Sequence, residues 1–203
     1  MIKRIVALCL FAAPTFADDA TDLKQRLLAM ADFKADFTQK VNDENNQLIS
    51  QGSGQLGFDF PNKLFWHGQQ PDESVLVVDG QNVWLYNPFI EQVSIFNMQQ
   101  AIAASPVTLL VQPNQGPWQD YLVRKDGHCY QITPKQTKGQ NVLAVDVCFK
   151  GSTISSFALV DAQANVSQFT LAQQQALTAA DAEKFQFELT PFMDVDDQRP
   201  QGD

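Results

Sequence analysis

The hydrophobic positions of the 203-residue chain follow a helical period first and then a period of two. Leu23, Leu27 and Met30 recur at i, i+4 and i+7 across residues 19–30. That spacing predicts an amphipathic helix lying on something apolar, with Asp19 or Thr21 placed to cap it. From Phe33 the period shortens. Phe33, Ala35, Phe37 and Val41 alternate with Lys34, Asp36, Thr38 and Lys40, the pattern of a half-buried strand. The stretch "ISQGSGQLGFDF" predicts a second strand whose glycines suggest bends or bulges, and Pro61 ends it. "KLFWHG" resumes with Leu64 and Trp66 on one face.

"SVLVVDGQNVWLYNPFIEQVSIF" then reads as three strands joined by two turns, and here neither face is polar. Val75, Val77, Trp84, Tyr86, Val93 and Ile95 can share one face; Leu76, Val78, Val83, Leu85 and Phe96 crowd the other. A sheet with one wet side would alternate apolar and polar residues, so both faces of this one need a cover. From Asn97 the helical period returns in "NMQQAIAASPVTLLVQ". Met98, Ile102, Val107, Leu110 and Val111 form a stripe, and Pro106 after Ser105 suits the first turn of a second short helix. "WQDYLVRK", "HCYQITPK", "NVLAVDVCFK", "TISSFALVDA", "NVSQFTLAQQ" and "EKFQFELTP" return to strands, and the acidic tail "MDVDDQRPQGD" reads as solvated. The sum is about eleven strands, an N-terminal helix and a helical insertion after the sixth strand. Sequential antiparallel pairing makes one large curved sheet, in a single domain over residues 18–203.

The N-terminus is set apart from this pattern. Lys3 and Arg4, the apolar run from Ile5 to Phe11 and Thr15-Phe16-Ala17 form a secretory signal peptide over residues 1–17. Cys9 lies inside the apolar run behind Leu8, where a lipidation site would need a small residue, and reads as part of the signal. Export into an oxidising compartment makes Cys129 and Cys148 a disulfide candidate. Pairing Ile132 with Val145 in a hairpin sets the two cysteines directly opposite; free thiols or a metal site are the rival readings, and no ligand-spaced His or Cys stands nearby.

Without Lys3 and Arg4, 12 basic residues face 23 acidic ones, a net charge of −11. That excludes a nucleic-acid partner, which needs a basic face, and argues against anionic lipid headgroups. It fits a monomer that meets basic partners. Catalytic constellations are missing from the pattern. His67 and His128 have no evident partner for acid–base work. "GSGQLG" lacks the helix and the Lys-Ser/Thr of a phosphate loop, and Asp194, Asp196 and Asp197 lack the glycine and distant Glu of a calcium loop. The abundance is apolar, with 15 Phe and 3 Trp. A sheet curled around movable amphipathic helices offers a concave pocket suited to acyl chains, at about 0.8 kcal/mol per buried CH₂.

"DLKQRL", "FKADFTQKV", "PNKLFWH", "QPDESVLVVDGQNVWLYNPFIEQV", "DAEKFQFEL" and "VDDQR" occur in this order along the chain. The ordered set resembles the outer-membrane lipoprotein carrier protein (LolA) family, and the likeness covers the whole mature sequence. The resemblance implies an open, incomplete antiparallel β-barrel with a lid of three helices. It implies a periplasmic chaperone with no enzyme activity and no cofactor. Its cargo would be triacylated lipoproteins, taken from the inner-membrane LolCDE exporter and passed to the outer-membrane receptor LolB. A periplasmic lipid- or lipoprotein-binding sensor of the same fold is the alternative. Carried over by position, the acyl-chain lining falls on Leu27, Phe33, Phe37, Leu64, Trp66, Val75, Val77, Trp84 and Tyr86. The lid falls on Met98, Ile102, Val107 and Leu110. One position departs from the family: the Arg that usually precedes the proline at Pro61, and bonds the lid shut, is Phe60 here. Either packing by Phe60 closes the lid, or another donor such as Lys63 does.

Overall fold

The computed structural model describes residues 18–103 and 107–200, apart from the side chains of Ile102 and Ala103. The predicted signal peptide, Cys9 and the Ser105–Pro106 helix start lie outside the described residues. Helix α1 (Asp19–Leu28) is followed by six strands: β1 (Phe33–Asn42), β2 (Leu48–Asp59), β3 (Lys63–Gln70), β4 (Ser74–Val78), β5 (Asn82–Asn87) and β6 (Gln92–Asn97). Two short helices, α2 (Met98–Ala103) and α3 (Val107–Val111), interrupt the sheet. Five more strands then run in sequence: β7 (Tyr121–Asp126), β8 (Cys129–Pro134), β9 (Val142–Lys150), β10 (Thr153–Asp161) and β11 (Val166–Ala176). A 3-10 helix (Ala179–Phe185) and β12 (Asp194–Asp197) end the described chain.

All twelve strands join one sheet in the order β12-β6-β5-β4-β3-β2-β1-β11-β10-β9-β8-β7. Sequential pairing holds within β1–β6 and within β7–β11 but not between them. The halves are joined instead by β1 pairing antiparallel with β11. The sheet is therefore open, with β12 and β7 as its two edges, and α2 and α3 sit where the chain leaves β6. No described helix is long and apolar enough to cross a membrane.

The helix and the disulfide follow local chemistry. Asp18 caps α1, one residue ahead of the expected Asp19, because its carboxylate accepts the Thr21 amide at 2.7 Å. Leu23 and Leu27 are buried in the core. On the polar side, the Asp22 carboxylate accepts Lys125 Nζ and the Tyr130 hydroxyl, each at 2.5 Å. Those two bonds, Lys125 foremost, hold the Asp22 carboxyl below its ordinary range. They also tie α1 to β7 and β8. Cys129 and Cys148 stand opposite in the β8–β9 register and form a disulfide.

The C-terminal region departs from the alternation reading. "EKFQFELTP" alternates like a strand, yet it begins as a 3-10 helix and continues as a strap over the convex face. Phe185 meets Phe65 edge-on at 5.2 Å, and Phe187 stacks on Trp84 at 5.5 Å and tilts against Tyr86 at 5.6 Å. The acidic tail read as solvated supplies β12, which pairs in parallel with β6. Asp181 pins the start of the strap. Its carboxylate accepts Lys34 Nζ at 2.8 Å, the Thr178 hydroxyl at 2.7 Å and the Thr178 amide at 2.9 Å, with Lys184 Nζ at 3.2 Å.

Those bonds, led by the one from Lys34, push the Asp181 carboxyl well below the usual carboxylate range. A depressed folded-state value stabilises at every pH above the ordinary value and loses that effect as pH falls through the folded one. Asp181→Asn should therefore lower Tm at neutral pH, and its gap from the native chain should close on acidification below about pH 4. Thermal melts of both proteins across that range check it. A second prediction concerns Gly54, opposite Phe37 in the β1–β2 register. A Cβ there would stand 2.0 Å from the His67 carbonyl oxygen and 2.9 Å from the Phe37 ring. Gly54→Ala should cost about 1–3 kcal/mol, the usual price of overpacking, read from denaturant unfolding.

Candidate functional site

The concave face of the sheet holds an apolar cavity of about 310 Å³. Leu56, Phe58 and Phe60 line it from the β2 end of the sheet, Leu64 and Trp66 from β3, and Ser74, Leu76 and Leu85 from β4 and β5. Ile154, Phe157 and Leu159 of β10, with Phe169 and Leu171 of β11, close the far wall. Val107, Leu110 and Val111 of α3 form the roof. Alternation explains why these side chains converge, since each strand sends every second residue to the concave side. Leu85 lines the cavity and is still 44% exposed, so the cavity opens to solvent beside Leu85.

An aromatic belt forms the wall. Phe37 lies on Trp66 with ring centroids 3.8 Å apart, Trp66 meets Phe169 edge-on at 5.0 Å, and Phe157 stacks on Phe169 at 4.6 Å. A second stack runs from Phe33 through Phe58 to Phe60, with spacings of 5.4 and 5.6 Å. Phe60 thus ends this stack and lines the cavity that α3 roofs. Lys63, the cation considered as an alternative lid donor, pairs with Asp59 at 3.4 Å.

The roof rests on packing. Met98 and Val111 are buried with Val78 and Val83, and Leu64, Leu76, Phe96 and Val107 pack around them. Leu109 and Leu110 join the larger core that holds Leu23, Leu27, Phe33 and Phe37. Polar links among the described residues include the Met98 amide, which donates to the Gln81 carbonyl at 2.9 Å, and Gln112 Nε2, which reaches Met98 Sδ at 3.9 Å.

The expected lining divides into three groups. Leu64 and Trp66 line the cavity. Leu27, Phe33 and Phe37 are buried in the core beside it, Phe37 directly behind Trp66. Val75, Val77, Trp84 and Tyr86 do not join them. These four share a face, as the alternation predicts, but it is the convex one, under the Phe185–Phe187 strap. The reason is register. Trp66 stands opposite Leu76, and Leu64 opposite Val78, so the cavity takes the even-numbered residues of β4. One residue more or fewer in the turn between Gln70 and Ser74 would exchange the faces.

Leu76, Val78, Val83, Leu85 and Phe96, whose cover the alternation left open, thus face the cavity and lid. Sequence reading also missed Phe157, Leu159, Phe169 and Leu171. The available signal was period two in "SSFALV" and "SQFTLA", but only the β1–β11 pairing brings those strands to the site. Among the lid positions, Met98 is buried in the roof contact, Val107 and Leu110 line the cavity, and the side chain of Ile102 lies outside the described residues.

Among the described residues, none of the side chains lining the cavity is ionisable, and Ser74 is the only one with a hydroxyl. His67 lies outside the cavity, 2.7 Å from Glu73 Oε1. No group of metal-ligating side chains occurs among the described residues. What the site can do is exclude water from apolar surface and release that surface when the roof moves.

Residues 29–188 match the family described as outer membrane lipoprotein carrier protein LolA. The chain is 46% identical over 188 residues to the outer-membrane lipoprotein carrier protein of Shewanella loihica, covering 93% of this chain and 90% of that one. It is 45% identical over 204 residues to the protein of the same name from Shewanella baltica, covering 98% of each. In backbone shape it is similar to an uncharacterized conserved protein from Thermus thermophilus, with a TM-score of 0.54 at 11% identity over 89% of this chain and 100% of the other. That last likeness speaks for the fold alone. With an apolar, roofed cavity in an open sheet and near full-length identity to named carriers, the chain belongs to the outer-membrane lipoprotein carrier protein (LolA) family.

Proposed function

We propose that the protein is a periplasmic carrier that shields the acyl chains of lipoproteins bound for the outer membrane. It takes triacylated lipoproteins from the inner-membrane LolCDE exporter and hands them to the outer-membrane receptor LolB. The observation that carries this reading is the cavity itself: lined by apolar side chains, without an ionisable group among the described residues, and roofed by short helices. Each CH₂ moved from water into it contributes about 0.8 kcal/mol, so long chains bind without any polar recognition.

The cavity volume, about 310 Å³, lies at the small end of ligand pockets, so several long chains need more room than this state provides. Extra room comes from displacing α2 and α3. Lid closure and cargo then compete for Leu64, Leu76, Val78 and Phe96, and the competition makes release reversible. Phe60 is the latch in this scheme. Its ring ends the Phe33–Phe58 stack in the cavity wall, where it packs the lid shut without a hydrogen bond.

Two outcomes test this. Leu76→Glu puts a carboxylate into the cavity wall, and should reduce the lipoprotein that co-purifies with the protein by roughly tenfold or more. Trp84→Ala, on the convex face, should lower stability yet leave cargo binding intact. Mass spectrometry of the purified proteins reads both, and equal cargo on Leu76→Glu would refute an acyl-chain site on the concave face. For the latch, Phe60→Ala should raise fluorescent fatty-acid uptake by the cargo-free protein, roughly tenfold for about 1.4 kcal/mol of lost packing. Phe60→Arg should alter both lid opening and lipoprotein release, and no change in either would remove the latch.

A further inference from the structure

The two most exposed large apolar side chains, with Ile90 beside them, gather at one end of the sheet. Phe89 is 93% exposed, Phe192 83% and Ile90 54%. Phe89 and Ile90 form the tip of the β5–β6 hairpin. The strap meets that hairpin where the Asp194 amide donates to the Glu91 carbonyl at 2.9 Å and Asp194 pairs with Gln92, which brings Phe192 to the same end. The tip is held in shape: the Phe89 amide donates to Asn87 Oδ1 at 3.0 Å, and Glu91 closes the turn at φ 51°. A preorganised apolar knob facing water marks an interaction site.

Its surroundings carry one sign of charge. Between Lys63 and Arg124 the chain has no lysine or arginine, and between Lys184 and Arg199 it has none either. Glu91 and Asp194 therefore flank the knob, with no lysine or arginine from its own segments. That rim repels anionic headgroups and repels a second copy of the same end. It complements a protein surface where lysines and arginines frame an apolar socket. The position has a use, since the cavity opens to solvent beside Leu85 of the same β5–β6 hairpin.

We infer that the Phe89–Ile90–Phe192 knob is the docking point for a transfer partner that presents a basic-rimmed apolar socket. The inference rests on the carrier reading and adds to it the surface and the chemistry of its partner. Docking there sets the partner beside the opening through which acyl chains leave or arrive.

The test uses the full mature protein loaded with a radiolabelled triacylated lipoprotein, with inner- and outer-membrane vesicles from the same cells as donor and acceptor. Phe89→Ser/Phe192→Ser should hold lipoprotein like the native chain, yet transfer it at least roughly tenfold more slowly in one direction or both. Glu91→Lys/Asp194→Lys should slow the same step. In a parallel arm, a photo-crosslinking residue at position 89 should give a protein adduct whose linked peptide is rich in Lys and Arg. That adduct should fade with charge reversal and with added salt. Native transfer rates in both double variants, adducts only with lipid or with a second copy, or an adduct insensitive to charge reversal would each overturn the docking surface. A native chain that takes up no lipoprotein would instead overturn the carrier reading, and the cross-linking arm, which needs no cargo, would still decide the surface.

Discussion

Trp66 standing opposite Leu76 is the pairing on which the arrangement of this molecule depends. It commits one face of β3–β6 to the concave side, and with it Leu64, Val78, Val83, Leu85 and Phe96. The opposite face, with Val75, Val77, Trp84 and Tyr86, is then left to the convex side. Both faces are too apolar to meet water, so a single sheet needs two covers. The chain supplies them from different places: the helices after β6 cover the inside, and the strap before β12 covers the outside.

The two covers are held by different physics, and that difference sorts them into a fixed part and a moving part. The strap is bonded. Asp181 is clamped by Lys34 and Thr178, Arg199 Nη1 donates to Asn82 Oδ1 at 3.4 Å, and β12 shares a backbone ladder with β6. The lid is packed. Helices of six and five residues are too short to persist alone in water, so α2 and α3 keep their form because Met98, Leu109, Leu110 and Val111 are buried. Apolar ligand that replaces those contacts costs the lid little. A bonded cover has no comparable substitute, so motion belongs to the concave side.

The aromatic belt shows how the two halves of the open sheet are kept together without closure. Phe37 of β1, Trp66 of β3 and Phe169 of β11 meet across the seam where the halves join, and Gly54 leaves room for the Phe37 ring. The belt is both core and cavity wall. Binding at the site therefore draws on surface that the fold already holds rigid. Only the roof has to rearrange, which suits a carrier that must give up its cargo.

Local chemistry was legible in the amino-acid sequence. The 3.6-residue stripe of Leu23 and Leu27, the alternation in β1 and β4–β6 and the opposed cysteines all act over a few residues, so their spacing carries them. The membership of each face was legible too: Val75, Val77, Trp84 and Tyr86 do share one. Which face turns inward was not, because it hangs on the parity of the turn between Gln70 and Ser74, a property of strand pairing rather than of either strand. The contribution of Phe157, Phe169 and Leu171 was hidden for the same reason, since β1 pairs with β11 across most of the chain. "EKFQFELTP" misled because a strap laid on a sheet must also send Phe185 and Phe187 to one side, and it alternates as a strand does. The sequence by itself determined most of the elements and the membership of their apolar faces. Only the tertiary structure decided inside from outside, because that depends on register between distant segments and on what is left to cover each face.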